Sequence, residues 1–341
     1  MTLQLETSQA LSNLEFEFKE LEIPFSLETS PEPTPKGSTT DDLDTLFRVL
    51  PHQVVSALNG RVHDLEEIKM REQRKLMVNW GGTYQEVDYF VTNDDIGTVV
   101  DYIGGFRADG RAGIDGTVHR ICEVRDRYGS TTGITVRIGR FLEGVAEPLR
   151  DLLEQTRVSI LILGAPGVGK STLLRDVVRI IAQRIKAKCM LVDTSGEIGG
   201  SGRRAHPGIG MADLLQVPSP DAQAEIIRQA VANHGAEMLV VDEIGYHGDA
   251  QVLQAKGRTG IGLIATAHGV TIADAAFNPS LNPVLGEPDI NGKRTAPSTF
   301  KIIIEVPRKG VYKVYTNSDE ALDCARGGGT PIPEERVVET A

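Results

Sequence analysis

The nine residues GAPGVGKST, Gly164–Thr172, constrain this chain more than any other stretch. They fit the pattern G-x-x-x-x-G-K-[ST], and their flanks suit it: the apolar run VSILIL precedes them and the helix-patterned STLLRDVV follows. A strand, a glycine-rich turn and a helix N-terminus in that order make a nest of inward-pointing N–H groups for phosphate. Gly164, Gly167 and Gly169 can take the backbone angles such a turn needs. Lys170 would then neutralise β- and γ-phosphates and Ser171 would ligate Mg²⁺. Gly164, Ala165, Pro166, Gly167, Val168, Gly169, Lys170, Ser171 and Thr172 are therefore the candidate nucleotide-binding residues. A chance match in a glycine-rich turn is the competing reading, and the strand-loop-helix context argues against it.

The loop alone does not separate kinases, switches, motors and scaffolds. A second motif does. MLVVDEIG places Asp242 and Glu243 at the end of a buried strand. An aspartate there can hold Mg²⁺ through water, and the adjacent glutamate can act as general base on the attacking water. Small-molecule kinases need no water-activating glutamate, so the pair points to hydrolysis. Alternatively, Asp242 could cap the next helix. About 70 residues containing the strand-like CMLVDT separate Lys170 from Asp242, which predicts an additional strand inserted between the two motif strands. Asp193 and Glu197 follow CMLVDT, and LIATAHG places Thr266 and His268 at another strand end, the edge where open α/β sheets bind ligands. The first two residues suit either catalytic support or loop capping. The second two suit either a γ-phosphate sensor or a satisfied strand end.

The pattern along the chain predicts two folded regions. Residues 1–40 are acidic and rich in Pro, Ser and Thr, so they read as a disordered segment whose last residues, Thr40 or Asp41, cap the next helix. Residues 41–145 read as a smaller α+β domain: a helix over DTLFRVLPHQVVSALNG, a hairpin around Gly81-Gly82, a capped helix in NDDIGTVVDYIGGF, and a second hairpin, TVHRICEVRDRYGSTTGITVRIGR. Residues 146–320 read as the nucleotide domain, entered through a connecting helix in FLEGVAEPLRDLLEQT. There, unalternating apolar runs alternate with helical stretches, the mark of a parallel sheet covered on both faces. TFKIIIEVPRKGVYKVY closes it as an antiparallel pair turned at Lys309-Gly310, and residues 321–341 read as a flexible tail.

Composition narrows the partners. No apolar run reaches the length of a membrane span, and the acidic N-terminus is unlike a secretory or transit signal. Three distant cysteines make neither a disulfide framework nor a zinc pattern, so a reducing compartment is expected: the cytoplasm, or the stroma for a plastid-encoded chain. A net charge of −11 disfavours, without excluding, binding to nucleic acid. Against that background, residues 107–140 carry seven arginines (Arg107, Arg111, Arg120, Arg125, Arg127, Arg137, Arg140), no lysine and four acids. Arginine is favoured where bidentate phosphate contacts matter. These side chains could serve as arginine fingers from a neighbouring domain or subunit, as a nucleic-acid strip, or as salt-bridged surface.

Six further motifs occur in order: LEEIKMRE, EIGGSG, HPGIG, VVDEIG, IATAHG and RTAPSTF. With them the chain resembles ATPases of the stage III sporulation protein AA type, in the form their cyanobacterial and plastid members take, over about residues 43–316. The resemblance implies an α/β, RecA-like P-loop core of the additional-strand catalytic-glutamate class, AAA-like and related to hexameric secretion and pilus-retraction motors. It also implies ATP and Mg²⁺ as cofactors, a homo-oligomer with six subunits, and an unidentified protein partner. The absence of a guanine-reading NKxD stretch agrees with ATP. Glu243 is then the catalytic base, His268 and Glu197 belong to the His and Asp boxes, and Arg120 and Arg137 reach the nucleotide across an interface. Two departures stand out. No Arg-x-x-x-His single-strand-binding signature follows the core, which weakens a nucleic-acid role, and YHGDAQVLQAKGRTG replaces the relatives' uninterrupted helix after DEIG. The expected function is Mg²⁺-dependent ATP hydrolysis by a ring motor or assembly ATPase. The alternatives are a nucleotide-binding scaffold with little turnover and a single-strand-stimulated ATPase.

Overall fold

A computed structural model of the chain describes residues 39–40 and 42–338. Most of the expected acidic segment, and Asp41, lie outside them. Thr39–Thr40 (β1) pairs antiparallel with Phe141–Leu142 (β8), so Thr40 belongs to a ribbon and does not cap a helix. The cap position falls to Asp42, whose side chain makes no cap bond and reaches His206 Nε2 at 2.9 Å.

The helix expected after it is split. Helix α1 (Leu43–Val49) stops where Leu50 turns extended before Pro51, and α2 (His52–Ala57) starts anew, because the proline ring excludes helical geometry from the preceding residue. Six antiparallel strands follow: β2 (Leu65–Arg71), β3 (Lys75–Trp80), β4 (Thr83–Phe90), β5 (Arg111–Gly113), β6 (Arg120–Arg125) and β7 (Thr131–Arg137), in the order β4-β3-β2-β7-β6-β5. Both expected hairpins are present, β3–β4 and β6–β7. Helix α3 (Asn93–Ile103) carries a full capping box from Thr92 and Asp95. Leu46, Val54, Ile68, Val78, Ile96, Ile121 and Val136 close a core beneath this sheet.

The expected connecting helix is mostly absent. Its first residues are taken by β8, Gly144 adopts φ 90°, and only Arg150–Leu153 (α4) is α-helical, beyond Pro148. The second sheet has eight strands: β9 (Ser159–Leu163), β10 (Cys189–Asp193), β11 (Asp213–Gln216), β12 (Met238–Ile244), β13 (Gly262–Ala267), β14 (Ile302–Arg308), β15 (Val311–Tyr315) and β16 (Glu334–Val337). Their order is β11-β10-β12-β13-β9-β14-β15-β16, parallel through β14 and antiparallel from there. The pleat sends Ile160 and Ile162 to one face, under α5 (Lys170–Ile185), and Leu161 and Leu163 to the other, under α6 (Gln223–His234) and α7 (Asp249–Gly257). Helices α8 (Ile272–Ala276), α9 (Asn282–Leu285) and α10 (Ser318–Arg326) complete that second layer.

Two expectations change here. The strand that separates β9 from β12 in space is β13; β10, which intervenes in sequence, lies on the far side of β12. A parallel connection crosses over a helix, so chain order does not determine which side of the sheet the next strand joins. Nor is residues 321–341 a loose tail as far as it is described: α10 packs on the core, β16 extends the sheet, and Arg336 grips Asp151 and the carbonyl of Pro148. No helix among the described residues is long and apolar enough to cross a membrane.

Candidate nucleotide site

The loop Gly164–Thr172 crosses from β9 to α5 at the carboxyl edge of the large sheet. Gly167 and Gly169 sit at φ 81° and 102°, where a side chain would be strained. Gly164 has no room for a Cβ: one would lie 2.9 Å from Val168 Cγ2 and 3.0 Å from the carbonyl of Val306. Pro166, Gly167 and Gly169–Thr172 face a cleft of about 650 Å³, while Gly164, Ala165 and Val168 shape the loop from behind. Lys170 folds onto the loop, donating to the carbonyls of Gly164 (2.6 Å) and Ala165 (3.1 Å). Burial pulls its ammonium below the usual lysine range, opposed by the nearby Glu243, Asp242 and Glu197.

The same cleft collects the strand-end residues. Asp242, at the end of β12, accepts a hydrogen bond from Ser195 Oγ. Burial pushes its carboxyl up to about 8, with the charge of Asp193 adding to the shift. Because β13 lies beside β12, His268 reaches Glu243, with Nε2 2.6 Å from Oε1. The hydroxyl of Thr266 does not point at a phosphate position but donates to the carbonyl of Asp242. Asp193 is a loop-former: its carboxylate accepts the N–H groups of Gly196 (2.7 Å), Ile198 (2.9 Å) and Gly199 (2.8 Å). That turn thrusts Glu197 into the cleft, where Oε2 accepts from Ser171 Oγ at 3.1 Å.

The smaller sheet forms the opposite wall. Arg120 is buried there and pairs with Glu197. Arg137 opens onto the cleft with its Nε on Glu67 at 3.1 Å, and Arg111 and Arg140 line it too. Arg107 instead ties the sheets together, donating to the carbonyls of Val217 (2.6 Å) and Thr194 (3.4 Å). Arg125 pairs with Glu123 and Arg127 lies by Tyr128, both away from the cleft. So the arginines that face Lys170 do so within one chain.

Several lining residues escape a reading of the sequence. Arg175 is buried at the edge of the cleft, donating to the carbonyls of Glu197 and of Arg140 (2.7 Å). Its signal was available: a charge on the apolar face of α5. Ser195, Tyr246 and Lys309 also line the cleft. Lys309 reads as a plain turn residue in sequence, and only the pairing of β14 with β9 carries it over the loop, its Cγ 3.8 Å from where a Cβ on Gly169 would sit.

The donor set fits a magnesium nucleotide. The cleft volume lies within the usual range for small-molecule sites. A half-buried ammonium stands at a helix N-terminus, and a hydroxyl and a buried carboxylate are available as the hard oxygen ligands Mg²⁺ takes.

Comparison with known proteins agrees with this geometry. The sequence profile of the family described as sporulation stage III, protein AA, matches residues 41–291. The chain is 33% identical over 319 residues to a protein of Porphyra purpurea named uncharacterized protein ycf45, covering 88% of this chain and 56% of that one. It is 33% identical over 332 residues to Protein SEEDLING PLASTID DEVELOPMENT 1 of Arabidopsis thaliana, covering 92% and 48%. The chain thus spans about half the length of these two relatives. Stage III sporulation protein AA of Bacillus subtilis is 27% identical over 266 residues, covering 70% and 86%. Among solved structures, the pilus retraction motor PilT superposes with a TM-score of 0.55 at 13% identity over 81% of this chain and 85% of that one. The Legionella pneumophila ATPase DotB superposes with a TM-score of 0.52 at 14% identity over 86% and 88%. The fold is that of the secretion and pilus-retraction P-loop ATPases.

Proposed function

The chain belongs to the family described as sporulation stage III, protein AA, and from that premise we propose that it is an ATP hydrolase that works as an oligomeric motor or assembly ATPase, six subunits to a ring. The observation that supports this most is the convergence of Lys170, Ser171, Asp242 and Glu243 on one cleft, faced by Arg120 and Arg137. Lys170 exchanges the loop carbonyls for the β- and γ-phosphates. Mg²⁺ would be held by Ser171 and, through water, by Asp242, and supplies charge neutralisation on the phosphate oxygens. Glu243 accepts the proton of the attacking water, and His268, already against its carboxylate, orients it and senses the γ-phosphate. Arg120 and Arg137 offset the charge that develops on the transferred group, a contribution worth about 10³–10⁵ in rate where arginine fingers have been removed. The compartment that goes with this reading is the cytoplasm, or the stroma for a plastid-encoded chain.

Turnover of ATP by the purified protein is the test. Glu243→Gln should retain ATP binding and lose steady-state hydrolysis, whereas Lys170→Ala should lose binding itself. Unchanged turnover in the first variant removes Glu243 from its role. Negligible turnover by the unsubstituted protein leaves a nucleotide-binding scaffold.

A further inference from the structure

Behind the cleft, two side chains that do not face it hold the backbone of the β12 turn. Gln223, the first residue of α6, is completely buried. Its Nε2 donates to the backbone carbonyl of Glu243 (2.7 Å) and to Asp249 Oδ2 (2.7 Å), and its Oε1 accepts from Thr194 Oγ1. Both donors and the acceptor of the amide are thereby engaged. Asp249, the first residue of α7, is equally buried, and the same Oδ2 also accepts the N–H groups of Tyr246 (2.9 Å) and Gly245 (3.4 Å). Its other oxygen, Oδ1, is buried and has no hydrogen-bond partner. Burying a half-satisfied carboxylate is costly.

We infer that Gln223 and Asp249 are positioning residues for the general base: together they fix the turn 243–246, so that Glu243 and Tyr246 project into the cleft at one angle. The polar atoms they bind are the carbonyl of residue 243 and the N–H groups of 245 and 246, which between them define the path of the turn. Thr194 brings in the third loop. It opens the turn that carries Glu197, so Gln223 links the strand end holding Glu197 to the strand end holding Glu243. The inference rests on the hydrolytic role proposed for Glu243. A shift of about 1 Å in a reacting group can cost on the order of 100-fold in rate without weakening substrate binding.

The test separates kcat from nucleotide affinity in Gln223→Met, which keeps length and volume but removes both donors. The expected result is a kcat lowered by about 10-fold or more, an ATP dissociation constant within about 3-fold of the parent, and a cooperative melt. Asp249→Leu, which keeps the branched shape while removing the oxygen that accepts from Gln223, Gly245 and Tyr246, should lower kcat in the same way and leave affinity alone. Glu243→Gln is measured beside them: if it still hydrolyses ATP, the hydrolytic role fails, whatever Gln223 does. If Glu243→Gln is inactive while Gln223→Met and Asp249→Leu both turn over at the parental rate, the positioning role alone is overturned. A rise in dissociation constant matching the fall in kcat in both variants also overturns it, since a merely structural contact would loosen the whole cleft. Should Gln223→Met fail to fold, Thr194→Val, which removes one bond to the same amide, gives the same readout.

Discussion

Asp242 is held where its own ionisation is unfavourable. Burial raises its folded-state pKa to about 8, whereas an unfolded aspartate titrates near 3.9. Between those values the folded state holds a proton that the unfolded state has lost, so the stability of the ligand-free protein falls as pH rises through that window. Asp193, pushed up by burial as well, contributes in the same direction. Asp242→Asn should therefore melt a few degrees above the parent at pH 8.5, the gap closing toward pH 4, while losing the stabilisation that MgATP confers on the parent. Melts across pH, with and without MgATP, check both halves; parallel curves for the two proteins would remove the buried charge as the cause. The places of Asp242, Glu243 and Lys170, at a strand end and in the loop, could be read from sequence because their motifs are contiguous. The ion pair of Arg120 with Glu197 and the engagement of Ser171 by Glu197 could not, since neither partner lies near the other in the chain.

At the scale of elements, the glycines of EIGGSG form a strap that seats the small sheet on the large one. A Cβ on Gly200 would meet the carbonyl of Thr117 at 2.4 Å, and one on Gly202 would meet Asp115 Cα at 2.5 Å. Gly116 N donates to the carbonyl of Arg204 at 3.2 Å across the same seam. Gly202→Ala must push the two backbones apart, at a cost of about 1–3 kcal/mol, and the opening draws Arg120 and Arg137 back from the loop. The expected outcome is a lower melting temperature together with a lower kcat; a variant that melts early but turns over normally would show that the seam does not govern the arginines. The hairpins, α3 and the buried parallel strands were legible because periodicity and capping act between near neighbours. The long first helix and the connecting helix were misread because their apolar spacing continues across Pro51, Gly144 and Pro148, where backbone geometry overrides it.

For the whole molecule, the arginine wall and the phosphate loop line one cleft within a single chain, so the proposed ring is not required to complete that wall. Native mass measured with a non-hydrolysable ATP analogue should show a hexamer, with less of it in the nucleotide-free sample; a monomer under both conditions would leave an ATPase without a ring. What the amino-acid sequence determined by itself was which residues stand at the strand ends, the buried parallel character of the core strands, and the family. Each rests on residues within a few positions of one another. The tertiary structure decided the rest: that β13 and not β10 separates the two motif strands, that residues 318–326 pack on the core and 334–337 extend the sheet, and that Arg107 spans 110 positions to bind Val217 and so ties the segment before the arginine hairpin to the large sheet. Those outcomes depend on which side of a crossover a strand joins and on close approaches between distant backbones, and no local pattern encodes either.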